Sequence, residues 1–244
     1  MKQKTAFITG ASHGIGRAIA EEFARNGYSL AINCNTSKNQ LKRLSQELSA
    51  QYHICCLPLV GDVGDECFVA DAFAKIKGEL GAVTVLINNA GISHIGLLSD
   101  MSIVEWNHVI HTNLTSAFCC SKHAIKDMVH EKNGSILNIS SVWGTCGASC
   151  EVAYSASKGG LNAFTKALAK ELAPSGISVN ALSCGVIDTR MNQCFSPAER
   201  LALEEEIPAG RFGSPKEVAE LALSIVSSTS YLTGQIITLD GGWQ

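Results

Sequence analysis

The sequence TGASHGIGR at residues 9–17 decides the fold, and it follows directly on a short apolar run at residues 5–9. Glycines that open a helix after a strand let the chain turn tightly and bring backbone N–H groups close to a pyrophosphate at the helix N-terminus. The spacing is G-x-x-x-G-x-G rather than the general G-x-G-x-x-G, so a turn required only for packing fits the cluster too. Its position after the first strand favours a nucleotide site.

Outward from this turn, short β-branched runs alternate with longer stretches of helical periodicity. We predict strands at residues 5–9, 30–33, 54–60, 83–88, 135–140, 177–182 and 235–239, and helices at 14–26, 38–51, 66–78, 103–131, 154–173 and 215–227. Such alternation is typical of a parallel sheet with helices on both faces. The predicted fold class is therefore α/β, with residues 1–244 in a single Rossmann-type doubly wound domain around a seven-stranded parallel sheet.

The composition excludes several classes of protein. Of the 244 residues, 46% are hydrophobic and 17% are charged, which is enough apolar side chain for a sizeable core and excludes intrinsic disorder. The net charge of -3 lacks the basic excess that nucleic-acid binding requires. Apolar runs are too short for an export signal or a membrane span. We therefore expect no nucleic-acid partner and no membrane partner.

The ten cysteines do not indicate a disulfide framework. Cys55 and Cys56 are adjacent, as are Cys119 and Cys120, and a chain of this size folds without cross-links. Zinc sites need tighter signals such as paired Cys-x-x-Cys elements, and the sequence has none. We expect a reduced, cytoplasmic protein without a metal site, in which most cysteines are small apolar core residues.

A long connection at residues 185–213 follows the sixth predicted strand. Ser196-Pro197 with Glu199 predicts a helix at 197–206, and Ser214-Pro215 with Glu217 predicts the start of the next helix. Because ligands bind beside the carboxyl ends of the strands, we predict that residues 185–213 form a mobile substrate lid. Its apolar residues are Met191, Phe195, Leu201 and Leu203. The alternative is a fixed insertion packed on the core.

Two further clusters carry polar side chains. Asn88-Asn89-Ala90-Gly91 ends the fourth predicted strand, and Tyr154 and Lys158 lie one helical turn apart on one face. A tyrosine beside a cation is a better proton donor and acceptor near neutral pH, so this pair is suited to acid/base work. Ser141, just after the fifth strand, is placed to reach the same pocket.

Together these motifs resemble the short-chain dehydrogenase/reductase family over essentially the whole chain. The matching segments are TGASHGIG at 9–16, NNAG at 88–91, Asn113 within HTNL at 111–114, Ser141, and YSASK at 154–158. Within the family the chain most resembles the 3-oxoacyl-(acyl carrier protein) reductases, through SSVWGT at 140–145 and LTGQ at 232–235.

The resemblance implies a catalytic role for Asn113, Ser141, Tyr154 and Lys158. Tyr154 would protonate a carbonyl oxygen as hydride arrives from a nicotinamide, and Lys158 would lower the pKa of Tyr154 and bind the nicotinamide ribose. Ser141 would polarise the carbonyl, and Asn113 would hold a water that links Lys158 to solvent.

The resemblance also implies a dinucleotide site. Its residues would be Gly10, Ser12, His13, Gly14, Ile15, Gly16, Asn35, Thr36, Asp62, Val63, Asn89, Ala90, Gly91, Tyr154, Lys158, Gly185, Ile187 and Thr189. A carboxylate about twenty residues after the glycine turn would bind the ribose of NAD and repel the extra phosphate of NADP. The residues there, Cys34 to Thr36, are neutral. We therefore predict NADP(H) as the cofactor rather than NAD, although the same residues could merely cap the next helix.

Besides the lack of a carboxylate after the second strand, two positions depart from the family pattern. Cys184 replaces the usual proline after the sixth strand, and we expect it to loosen the loop there and favour lid motion. His13 stands where reductases that use the phosphorylated cofactor often carry arginine or lysine.

The implied activity is reduction of a ketone to a secondary alcohol, most like a 3-oxoacyl-(acyl carrier protein) reductase of fatty acid biosynthesis. Residues 131–133 and 174–176 contain one cation between them, which weakens the case for an acidic carrier. Other ketones are alternative substrates: a protein-bound aminopentanone on elongation factor P, a sugar, a steroid or a small diketone. The alternative of another class is a catalytically silent nucleotide-binding regulator, which would be expected to lack Tyr154, Lys158 or Ser141.

We also predict a homotetramer. The resemblance implies one, and two helices carry more apolar residues than a single core-facing stripe requires, which indicates a second buried face. These residues are Leu161, Phe164, Thr165, Leu168 and Leu172 on one helix, and Leu114, Phe118, Ile125 and Met128 on the other.

Overall fold

The computed structural model of the chain describes residues 4–192 and 195–244. Within them, seven parallel strands form one sheet in the order β3-β2-β1-β4-β5-β6-β7. The strands are β1 (Thr5–Ile8), β2 (Ser29–Cys34), β3 (Cys56–Val60), β4 (Val85–Asn88), β5 (Gly134–Ser141), β6 (Ile177–Cys184) and β7 (Ile236–Leu239). The strand order reverses between β1 and β4, and ligands of doubly wound sheets bind in the crevice at this reversal.

Helices connect the strands. They are α1 (Gly14–Arg25), α2 (Lys38–Tyr52), α3 (Glu66–Leu80), α4 (Ile103–Ile110), α5 (Ser116–Glu131), α6 (Val152–Leu172), α7 (Pro197–Glu206) and α8 (Pro215–Val226). Across the described ranges, none of the helices has the length and apolar character that crossing a bilayer would require.

Two cores cover the two faces of the sheet. Every residue of β1, β2 and β4 is buried, as expected for strands enclosed on both sides. Side chains of α1, α2 and α8 pack on one face, and those of α3, α5 and α6 pack on the other. The predicted fold class is confirmed, with strand ends shifted by one or two residues from the predicted ones. The helix starts at Ser196 and Ser214 are confirmed as well, each with a complete capping box.

The single predicted helix at residues 103–131 is wrong in one respect. Its turn at His111–Thr115 is π-helical and separates α4 from α5. The wider turn adds a residue, and Asn113 within it is buried. Apolar periodicity does not reveal such a turn, because the pattern continues on both sides of it.

Cys184 does not loosen a loop, as the sequence led us to expect. It is the last residue of β6, is buried, and pairs in register with Ser141 on β5 and Leu239 on β7. A residue paired on both sides is a poor hinge.

The apolar residues expected to form a second, oligomeric face mostly fill this chain's own core. Leu161, Leu168, Leu172 and Met128 are buried within it. Of the residues named for this face, Phe118 is exposed. Five other exposed apolar residues are grouped within residues 95–104, and these are Ile95, Leu97, Leu98, Ile103 and Val104.

Candidate active site

A cavity of about 270 Å³ opens at the carboxyl ends of the central strands. One end, here called the nucleotide end, is lined by the glycine turn and residues near it: Gly10, His13, Gly14, Ile15, Gly16, Asn89, Gly91, Ile187 and Thr189. The other, here called the substrate end, is lined by Ser93, Ile95, Val142, Trp143, Glu151, Met191, Phe195, Leu203 and Trp243. Ser141, Tyr154, Lys158, Cys184 and Gly185 also line the cavity.

The glycine turn requires glycine at specific positions. Gly10 and Gly14 have φ values of 64° and 56°, in the left-handed region. A Cβ on Gly16 would collide with the carbonyl oxygen of Gly10 and with the side chain of Asn89. Packing therefore explains Gly16, because only a residue without a Cβ allows Gly10 and Asn89 to approach the first turn of α1 so closely.

Asn89 joins this turn to the loop after β4. Its Nδ2 donates to the carbonyl oxygens of Thr9 and Gly10, at 2.9 and 3.1 Å. In return, Thr9 Oγ1 accepts hydrogen bonds from the backbone N–H groups of Asn89 and Ala90, at 3.0 and 2.9 Å. The two loops are thus held together as one floor of the nucleotide end.

The N-terminus of α1 opens into the cavity without a side-chain cap. His13 occupies the capping position but accepts no hydrogen bond from the helix, and its Nδ1 lies 2.8 Å from Ser12 Oγ instead. The first N–H groups of a helix favour an anionic ligand. Together with the glycine turn, this donor set fits the pyrophosphate of a dinucleotide.

Lys158 is a buried cation at the centre of the site. Its Nζ donates to the carbonyl oxygen of Ile139 at 2.8 Å and lies 5.7 Å from the centre of the Tyr154 ring. Burial lowers the pKa of Lys158 to about 8. A buried ammonium with a lowered pKa that lies next to an open cavity is characteristic of a functional site.

The pKa of Tyr154 is shifted in the opposite direction to the shift that a neighbouring cation would cause. Burial raises the pKa of Tyr154, and a hydrogen bond with Ser141 opposes this shift. Desolvation is the larger effect. Tyr154 therefore keeps its proton at neutral pH, and a protonated phenol is the form that donates to a substrate oxygen.

Ser141 lies at the end of β5, where it is buried beside β6. Its Oγ accepts a hydrogen bond from the backbone N–H of Trp143 at 3.2 Å. Ser141 also makes the hydrogen bond with Tyr154 that opposes the rise in the pKa of that phenol, so the two hydroxyl groups lie together.

Asn113 fixes the loop after β4 against α6. Its Oδ1 accepts from Ile92 N at 2.8 Å, and its Nδ2 donates to Ile92 O and to Ser157 Oγ, both at 2.9 Å. Ser157 Oγ in turn donates to the carbonyl oxygen of Tyr154 at 2.7 Å. These bonds position the first turns of α6, and sequence reasoning did not identify Ser157.

Several predicted site residues lie outside the cavity lining. Ser12 is buried behind His13, and Ala90 donates its N–H to Thr9. Asn35 and Thr36 are exposed after β2. Asp62 accepts from Gly64 N at 2.8 Å and lies 3.1 Å from His111 Nε2, while Val63 is buried in the core. Ser12 belongs to the glycine turn, and the other residues follow the carboxyl ends of β2, β3 and β4, where the cavity opens.

Sequence reasoning missed the polar group of the substrate end. Glu151 Oε2 accepts a hydrogen bond from Ser93 Oγ at 2.6 Å. The rings of Trp143 and Trp243 meet edge to face, 5.0 Å apart between centres. A signal was present, because Glu151 is the only charged residue between Ser141 and Tyr154.

Residues 4–200 match the family described as short chain dehydrogenase. The chain belongs to this family and is an oxidoreductase of it, which agrees with the glycine turn and with Ser141, Tyr154 and Lys158 around one cavity.

Relatives resemble the chain over nearly its whole length. The uncharacterized oxidoreductase YmfI of Bacillus subtilis is 39% identical over 242 residues, 98% of each chain. The 3-oxoacyl-[acyl-carrier-protein] reductase FabG of Escherichia coli is 39% identical over 240 residues, covering 98% of this chain and 96% of FabG. In structure, the NADPH dependent reductase YwfH, involved in bacilysin biosynthesis, has a TM-score of 0.93 at 29% identity, covering 100% of this chain and 99% of YwfH.

Proposed function

We propose that this chain reduces a ketone to a secondary alcohol with NADPH. The observation that carries the proposal is the buried ammonium of Lys158 beside protonated Tyr154, in the cavity that begins at the glycine turn. A catalytically silent nucleotide-binding regulator has no need of a buried cation, which costs stability. Turnover of NADPH with a ketone, absent in Tyr154→Phe, separates the two functions.

The chain's own residues would bind the dinucleotide and move one proton. The glycine turn and the N-terminus of α1 would hold the pyrophosphate, and Lys158 the nicotinamide ribose. When bound, the nicotinamide supplies hydride. Tyr154 would donate its phenolic proton to the carbonyl oxygen, while the Ser141 hydroxyl stabilises the negative charge that develops there. Lys158, charged at neutral pH, would return a proton to Tyr154.

The choice of NADPH over NADH is supported by the residues after β2. Asn35 and Thr36 carry no negative charge, and His13 is exposed beside the glycine turn. We expect kcat/KM to be at least about tenfold higher with NADPH than with NADH, a difference of about 1.4 kcal/mol. Asn35→Asp should reduce this ratio, since its carboxylate repels the extra phosphate. Equal kcat/KM values for the two cofactors in the wild type would refute the preference.

Two classes of ketone are candidates. The names of the curated relatives support a 3-oxoacyl thioester on a carrier protein. The scarcity of cations at residues 131–133 and 174–176 is not evidence against a carrier protein. Both stretches lie at the amino ends of β5 and β6, whereas the cavity opens at the carboxyl ends of the strands. Glu151 at the substrate end favours the second class, a ketone outside fatty acid synthesis, because an acyl chain offers a carboxylate nothing to bind.

We also propose that residues 185–213 form a lid. Met191, Phe195 and Leu203 of this segment line the cavity, whereas Leu201 is exposed and does not. Residues 193 and 194 lie outside the described residues. Hydrogen exchange of residues 197–206 should slow when NADPH and a ketone are added. Equal, strong protection with and without them would mean a fixed insertion.

A homotetramer is proposed as well, now supported by a different surface. Ile103 and Val104 at the start of α4 are 69% and 72% exposed, and Leu97 and Leu98 lie just before them. Contiguous exposed apolar residues are unusual on monomers. Light scattering at micromolar concentration should give four times the mass of the chain, and a monomer mass would exclude the assembly. A cytoplasmic location stays a prediction from the cysteine content of the sequence.

A further inference from the structure

The helix α7 is attached to the rest of the protein by few side chains. None of its ten residues is buried, whereas the next helix, α8, buries Val218, Ala219, Ala222 and Ile225. Ile207, which follows the last turn of α7, is buried at 3% exposure. The C-terminal end of α7 is therefore anchored in the core, and the position of its earlier turns depends on contacts made at the surface.

Arg200 of α7 makes two such contacts. Its Nη1 donates to Asp188 Oδ1 at 3.1 Å, and its guanidinium carbon lies 4.5 Å from the centre of the Phe212 ring. Phe212 is 5% exposed, so this ring is held by the core. An exposed ion pair by itself contributes little to stability, but a guanidinium stacked on a fixed ring is already oriented when it meets the carboxylate. Arg200 therefore ties α7 to two points outside that helix.

Asp188 lies between two residues of the nucleotide end. Its neighbours Ile187 and Thr189 both line the cavity there. The backbone N–H of Asp188 donates to the carbonyl oxygen of Gly213 at 2.8 Å, which holds this part of the loop in place. Leu203 of α7 lines the substrate end. The contact between Asp188 and Arg200 thus connects the nucleotide end to the helix that covers the substrate end.

We propose that Arg200 is a positioning residue that couples the two ends of the cavity. With a dinucleotide bound, Ile187 and Thr189 restrain the loop at Asp188, and Arg200 extends this restraint to α7. A ligand biases an element only through contacts that differ between its positions, and the contact with Asp188 is lost when α7 moves away. The inference rests on the proposed function and its lid, and it adds that nucleotide binding alone prepares the substrate end.

Hydrogen exchange of residues 197–206 measures the opening of α7, with and without NADPH and with no ketone present. Fluorescence titration first gives the NADPH concentration that saturates each variant. For the wild type we expect NADPH to slow this exchange at least about fivefold, the lower end of typical couplings between two sites. Arg200→Met keeps a long apolar side chain but removes the charge and the planar group, so NADPH should no longer slow the exchange of α7.

Two further variants separate the contact with Asp188 from contacts inside the helix. Arg200 Nε also donates to Glu204 Oε1 of α7, at 3.1 Å. Glu204→Gln removes the charge of that partner and leaves the contact with Asp188, so the slowing by NADPH should be retained. Asp188→Ala leaves Arg200 in place but removes its partner in the loop, so the slowing should be lost. Asp188→Ala also preserves the test if Arg200→Met impairs folding.

Three outcomes overturn the inference. The first is exchange of α7 in the wild type that NADPH does not slow, and the second is slowing that persists in both Arg200→Met and Asp188→Ala. The third is loss of the slowing in Glu204→Gln as well, which would assign the effect to α7 itself. A wild type that does not bind NADPH at all would contradict the proposed function, which keeps the two kinds of failure distinct.

Discussion

Raising the pH from 7 to 9 titrates the buried ammonium of Lys158. Burial lowers the pKa of Lys158 from 10.5 to about 8. About nine-tenths of the molecules then carry the charge at pH 7, and about one-tenth at pH 9. The charged form is therefore present below pH 8 and is lost as the pH rises through it. If Lys158 binds the ribose as a cation, kcat/KM for NADPH should fall about tenfold over this interval.

Initial rates of NADPH consumption at saturating ketone measure this fall, because kcat/KM reports the titration of the free enzyme. Tyr154 is not its source, since burial raises the pKa of that phenol. Lys158→Arg stays charged over the whole range, so the alkaline fall should disappear even if the rate is lower. Lys166→Arg, the same exchange on an exposed residue of α6, should keep the fall. A fall centred near pH 10, or one that persists in Lys158→Arg, would refute the reasoning.

Three further predictions concern the same residues. Tyr154→Phe should bind NADPH normally and lose about 10²- to 10⁴-fold in kcat, checked by fluorescence titration and steady-state rates; near-normal turnover would exclude the assignment of Tyr154. Gly16→Ala should weaken NADPH binding at least about tenfold by displacing Gly10 and Asn89, whereas Gly78→Ala, in an open helical position, should stabilise the fold by about 1 kcal/mol. Lys158→Met should raise the free energy of unfolding at pH 7. Burial lowers the pKa of Lys158 from 10.5 to about 8, so below pH 8 the charged side chain destabilises the folded state relative to the unfolded state. That cost is of the order of 3 kcal/mol, less about 1 for the lost hydrogen bond, so Tm should rise by roughly 4–8 °C; an unchanged or lower Tm would contradict it.

The sequence predicted the parts of the site that local chemistry determines. The glycine turn, the Tyr154–Lys158 spacing and the capping boxes at Ser196 and Ser214 each depend on residues close together in the chain. Apolar runs bounded by turns predicted the sheet in the same way.

What the sequence could not reveal depends on distant segments. The tryptophan pair joins a turn after β5 to the chain's end, and the Ser93–Glu151 bond joins two loops. Cys184 belongs to the strand because it pairs with β5 and β7. The residues next to Cys184 in the sequence do not reveal this pairing. The direction of the Tyr154 pKa shift likewise depends on burial, and spacing says nothing about burial.

Transfer of deuterium from labelled NADPH tests the central claim most directly. The purified chain is mixed with NADPH that carries deuterium at the transferable position and with a panel of ketones that includes a 3-oxoacyl thioester and a small diketone. Mass spectrometry then reads the alcohols formed. The account predicts a secondary alcohol with one deuterium on its carbinol carbon, formed by the wild type and reduced about 10²-fold or more in Tyr154→Phe. No labelled alcohol from any ketone, with NADPH bound to the wild type, would contradict it.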